Sequence, residues 1–77
     1  MAIKKKVFKV IEKLSGEKNI DESLYLIQQL GMDSLQLVTM LIEIESVFDI
    51  TLDEVDMNPF ELQTVGEVVA LVKKYKR

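Results

Sequence analysis

Neither cysteine nor histidine occurs in this sequence. Without cysteine there is no disulfide to staple the fold and no thiolate chemistry. Without histidine the commonest general base and the commonest metal ligand are missing, and every serine–histidine arrangement is excluded. No apolar run is long enough to cross a membrane. The basic start, MAIKKKVFKVIEKL, is not read as a signal peptide, because Lys9, Glu12 and Lys13 interrupt what would have to be a continuous apolar stretch. Internal repeats, low-complexity tracts and linkers rich in proline, glycine or serine are also missing. The expectation is one small domain over residues 1–77, without membrane insertion, in the cytoplasm.

Cations are absent from a long internal stretch. All ten basic residues lie in 1–18 or 73–77, whereas residues 19–72 hold eleven carboxylates, from Asp21 through Glu67. Such a field repels phosphate backbones and attracts basic protein patches, so nucleic acid is not an expected partner. The basic ends are expected to be solvated or to pair with the acidic middle.

Within 77 residues, 48% apolar and 30% charged content suits a folded globular chain with a modest core. Helical spacing dominates. Ile3, Val7, Val10, Ile11 and Leu14 predict a helix over about 2–14, ended by Ser15 and Gly16. A polar connection follows to residue 32, pinned to the core by Leu24, Leu26, Ile27 and Leu30; its length suggests function or a hidden helical turn. The second helix is expected over about 34–48, with Gly31 in the turn before it and Asp33 and Gln36 spaced as a capping box. A short third helix near 58–62 would be capped by Asn58 and begun by Pro59. The fourth, about 65–75, opens on the capping-box pair Thr64 and Glu67 and buries Val65, Val68, Val69 and Val72, with Leu71 and Tyr75 beside them. Its valines make strand the competing reading, but the spacing favours helix. The expected fold class is all-α, a small four-helix bundle of three main helices and one short one.

The stretch LGMDSLQLVTML, residues 30–41, carries the candidate site. If Asp33 caps the second helix, the Ser34 hydroxyl is free in the first turn. Backbone N–H groups point outward there and the helix dipole is positive, which favours a phosphoester. The plain alternative makes Ser34 itself the N-cap. At about 100° per residue, Leu37, Leu41, Ile44 and Phe48 form the core face, flanked by Met40 and Val47. Leu35, Val38 and Ile42 point elsewhere, beside Thr39 and Ser46, with Gln36, Glu43 and Glu45 along the edge. Such a stripe reads as a docking surface, unless the long loop covers it.

Other chemistries fail on their residues. No G-x-S-x-G surrounds Ser34, and every lysine lies near a terminus, which disfavours a serine–lysine pair. A calcium loop starting at Asp49 would place Glu54 where glycine is required and Phe60 where the bidentate glutamate belongs. A DNA-binding bundle fails on charge.

At G-M-D-S-L, residues 31–35, the chain resembles the acyl carrier proteins, and the resemblance continues through E-S-V-F-D-I at 45–50 and N-P-F-E-L-Q-T-V-G-E-V-V at 58–69. It implies 4′-phosphopantetheine joined covalently to Ser34, with Asp33 and Leu35 completing the attachment motif. The arm's thiol would hold an acyl group as a thioester, so the missing cysteine is explained by the cofactor. The chain would be a non-catalytic, monomeric carrier of fatty acid, polyketide or lipid biosynthesis, modified by a phosphopantetheinyl transferase that supplies its own divalent metal. Acyl-loading and acyl-processing enzymes with basic patches would dock on Leu35, Gln36, Val38, Thr39, Ile42 and Glu43. The chain differs from the commonest fatty-acid pattern at Gln36, Thr39 and Ser46, where acidic residues are usual. An aminoacyl or peptidyl carrier of a nonribosomal-peptide or D-alanylation pathway is therefore the alternative, and a cofactor-free acidic adaptor is the reading from another class.

Overall fold

Three α-helices and two 3-10 turns make up the computed structural model, which describes residues 2–76. Helix α1 is Ile3–Ser15, α2 is Ser34–Phe48 and α3 is Val65–Tyr75. The 3-10 turns are Glu54–Met57 and Pro59–Glu61. No strand occurs among the described residues, and one isolated antiparallel bridge joins Tyr25 to Thr64. The expected all-α fold of three main helices is present. The short helix expected near 58–62 is a single 3-10 turn capped as anticipated, with the Asn58 side chain accepting from Phe60 N. The turn before it, Glu54–Met57, has no apolar period to announce it.

One apolar core holds the three helices together. Val7, Val10 and Ile11 of α1 meet Leu37, Met40, Leu41, Ile44 and Phe48 of α2 and Val65, Val68, Val69, Leu71 and Val72 of α3. No polar residue is buried among the described residues, so the core carries no unpaired polar group to weaken it.

The connection between α1 and α2 is ordered by its own burial. Ile20, Leu26, Leu30 and Met32 are buried, and Leu24 is half-buried against the core. Ile27, expected to be a further anchor, is instead 45% exposed. The hidden turn exists: Gly31 N donates to Ile27 O and Met32 N to Leu26 O, while Gly31 takes φ +69°, which glycine adopts without a Cβ penalty. Backbone bonds then stitch this loop to the start of α3. Leu26 N donates to Gln63 O, Val65 N to Leu24 O and Gly66 N to Glu22 O. Two first-turn donors of α3, which have no partner inside their helix, are satisfied in this way. A Cβ at position 66 would stand 3.1 Å from the Glu22 carbonyl oxygen, so glycine permits the close approach.

The C-terminus of α2 is fixed from two sides. Asp49 takes a left-handed conformation, φ 54°, and Lys76 Nζ donates to the Phe48 carbonyl at 3.2 Å. A cation on the last carbonyls also suits the negative end of the helix dipole. The Glu45 carboxylate accepts from Leu52 N at 2.8 Å and holds the turn that follows.

Candidate functional site at the start of α2

Asp33 and Ser34 have separate jobs. Asp33 is the N-cap, in extended backbone, and its carboxylate accepts from Gln36 N at 2.8 Å. The Gln36 side-chain oxygen accepts in return from Asp33 N at 3.2 Å. This reciprocal capping box leaves the Ser34 hydroxyl out of the cap, and Ser34 is exposed at the first helical position. Ser34 as N-cap is thereby excluded.

The geometry suits a phosphodiester on Ser34. The cap consumes the N–H of Gln36, while the two helical positions before it lie at the positive end of a 15-residue helix. That end of a helix favours an anion through unbonded N–H groups and the dipole together. The hydroxyl is reachable, and Leu35 beside it is 73% exposed.

Gln36 does more than close the cap. Its amide nitrogen donates to the Leu14 carbonyl at 2.9 Å, tying the start of α2 to the end of α1. That second bond joins residues far apart in sequence and has no local signature.

The apolar stripe is present and the long loop does not cover it. Leu35 is 73% and Ile42 54% exposed, and Val38 is half-buried. Val47, expected to flank the core, is 44% exposed and lies on the α1 side. The Thr39 hydroxyl donates to the Leu35 carbonyl at 2.9 Å, so it is bound back to its own helix. Glu43 forms an ion pair with Lys13 of α1. The basic ends thus pair in part with the acidic middle: Lys4 also meets Glu22 at 3.3 Å, and Lys74 meets Asp56 at 3.0 Å.

Similarity to known proteins agrees with this geometry. Residues 5–72 match the family model described as "Phosphopantetheine attachment site". An acyl carrier protein of Thermotoga maritima is 34% identical, with 96% of each chain covered. A D-alanyl carrier protein of Lactococcus lactis is 29% identical over 96% of each chain. Among solved structures, a Mycobacterium tuberculosis chain assigned as an acyl carrier protein superposes with a TM-score of 0.85 at 28% identity, covering 95% of this chain and 97% of that one. Proteins of this family are in general non-catalytic, and no helix among the described residues is long and apolar enough to cross a membrane. The chain belongs to the acyl carrier protein family, and is a carrier protein whose prosthetic group is 4′-phosphopantetheine.

Proposed function

We propose that Ser34 is the attachment point, and that residues 1–77 work as a single carrier domain presenting acyl thioesters to enzymes of fatty acid or related biosynthesis. The observation that carries this reading is the capping box. It assigns the cap to Asp33 and leaves an exposed hydroxyl at the positive end of α2. The prosthetic group supplies the thiol and the thioester; the chain supplies the site. In this reading the Ser34 oxygen forms the ester to phosphorus, and the first-turn N–H groups steady the phosphodiester charge. Leu35, Val38 and Ile42 form the apolar seat for a partner, with Thr39, Gln36 and Glu43 at its border. Asp33 and the carboxylates of the middle segment attract basic patches on loading and processing enzymes. In this reading the chain carries the cargo and its partner enzymes do the chemistry, while the carboxylate next to Ser34 serves the helix by accepting from Gln36 N. A cytoplasmic monomer fits these roles.

An aminoacyl carrier is the second reading. It is supported by the D-alanyl carrier relatives and by the uncharged Gln36, Thr39 and Ser46 on α2.

The test is the intact mass after incubation with coenzyme A, magnesium and a broad-specificity phosphopantetheinyl transferase. The expected result is one added phosphopantetheine on the native chain and none on Ser34→Ala, with an unchanged melting curve for the variant. Addition to Ser34→Ala, or none to the native chain with several transferases, overturns the assignment. The mass of the thioester on protein isolated from its own cells then separates an acyl from a D-alanyl cargo.

A further inference from the structure

The carboxylates of α2 are largely occupied within the chain. Glu43 is paired with Lys13, and Glu45 accepts from Leu52 N. Beside them runs a groove between α1 and α2, floored by Val10 and Val47 and edged by Lys6, Lys9 and Lys13 on one side and Glu43 on the other. The three lysines stand at i, i+3 and i+7 of α1, so they form one ridge. Lys6 and Lys9 are exposed, and neither forms an ion pair among the described residues. Lys6 also follows Lys4 and Lys5 in the first turn of α1, which has no acidic residue. The positive end of a helix is the least favourable place for a cation, so local helix stability does not explain it.

The ridge adjoins the docking stripe. Glu43 follows Ile42 along α2 and turns toward Lys13, so a body seated on Leu35 and Ile42 has the lysines at its edge. A basic surface is repelled there, while carboxylates meet unpaired ammonium groups.

We infer that the groove edged by Lys6, Lys9 and Lys13 receives a carboxylate-bearing segment of a partner enzyme, with apolar side chains over Val10 and Val47. The identity of that partner as a cargo-handling enzyme rests on the proposed function; the surface and its charge preference do not. A lipid surface fits less well. Val7 and Ile11, the apolar face of α1, are fully buried in the core, so no apolar face of this helix is left to enter a bilayer.

The probe is a synthetic helical peptide with leucines on one face and glutamates flanking them, compared with the same peptide carrying lysines. Each is titrated into the isotope-labelled protein, before and after treatment with the transferase, while amide resonances are followed. The glutamate peptide is expected to shift Lys6 through Lys13, Glu43 and Val47, and to weaken with added salt. In Lys6→Glu/Lys9→Glu its affinity is expected to fall about tenfold or more, which corresponds to about 1.4 kcal/mol. Lys6→Gln/Lys9→Gln should give a smaller loss. Equal affinity for the charge-reversed variant with an unchanged melting curve overturns the inference. So does a preference of these amides for the lysine peptide, or Lys6- and Lys9-dependent binding to phosphatidylglycerol vesicles without binding of the glutamate peptide. Loading of Ser34 is read separately by mass. Failure there with the peptide result intact removes the attachment assignment and leaves the groove standing, and the reverse pattern removes the groove alone.

Discussion

Asp33 and Ser34 are adjacent residues of similar capping ability, and the fold separates them by one position. The Asp33 carboxylate holds Gln36 N, so the hydroxyl that follows is not needed by the helix. Removing the carboxylate should therefore show in stability first. Asp33→Ala is expected to lose about 1 kcal/mol in urea unfolding, the usual cost of a lost N-cap, whereas Asp33→Asn should lose only a few tenths. If Asp33→Ala were neutral, Ser34 would have to have taken over the cap, and its loading by a transferase should then slow. The capping box was legible because it is local: its two partners stand three residues apart in D-S-L-Q. The bond from Gln36 to the Leu14 carbonyl was not, since 22 residues separate the two and neither type demands the other.

At the scale of elements, the boundaries of α2 and α3 followed from caps and spacing. The sequence expectation was 34–48 and 65–75, and the helices are Ser34–Phe48 and Val65–Tyr75. The loop between α1 and α2 was harder to read. Its leucines have no helical or strand period, and which of them point inward is decided by the bonds to Gln63, Val65 and Gly66 across the fold. This is why spacing alone makes Ile27 an anchor and does not single out Ile20 and Met32, both of which are buried. The 3-10 turn Glu54–Met57 is likewise fixed from outside, by Tyr75 and Lys74 of α3, so its own residues carry no signal. Leu26 is the center of the loop's attachment. It is fully buried, its N–H bonds Gln63 O and its carbonyl accepts from Met32 N. Leu26→Ala is expected to cost about 2–5 kcal/mol, as for other leucines removed from a packed core. Amide exchange at Met32 and Val65 should quicken along with that loss, because the loop and the start of α3 share these bonds. A loss confined to global stability, with Met32 no less protected than the core helices, would show that the loop is held by something other than Leu26.

For the whole molecule, the missing histidine sets the shape of stability against pH. No side chain of this chain has an ordinary titration range near neutrality, and the resolved shifts lie at the two extremes. Hydrogen bonds from Ser23 hold the Asp21 carboxyl below its ordinary 3.8, and a bond from the Tyr75 hydroxyl, then Lys74, does the same for Asp56. A carboxylate with a lowered value stabilises the fold above 3.8 and stops doing so as pH falls through the lowered value. On the alkaline side the Tyr75 hydroxyl is raised above 10.0, chiefly because it donates to Asp56, and the Lys74 ammonium is raised above 10.5 by the same carboxylate. Groups raised in this way stabilise the fold fully below their ordinary values and lose the effect as pH rises through the raised ones. The Tyr75 oxygen also accepts from Asp53 N at 2.9 Å, so one hydroxyl joins the segment after α2 to the end of α3. Its ionisation removes the proton it donates to Asp56 and sets a new negative charge beside that carboxylate. The melting temperature is therefore expected to be flat from about pH 5 to about pH 9, and to fall on both flanks. Tyr75→Phe should move the Asp56 titration, followed by carboxyl carbon resonance, upward toward 3.8 and soften the alkaline fall while leaving Asp21 unchanged. An Asp56 titration unmoved by Tyr75→Phe would mean that Lys74, and not the hydroxyl, lowers it, and the join between the segment after α2 and the end of α3 would then be an ion pair open to salt.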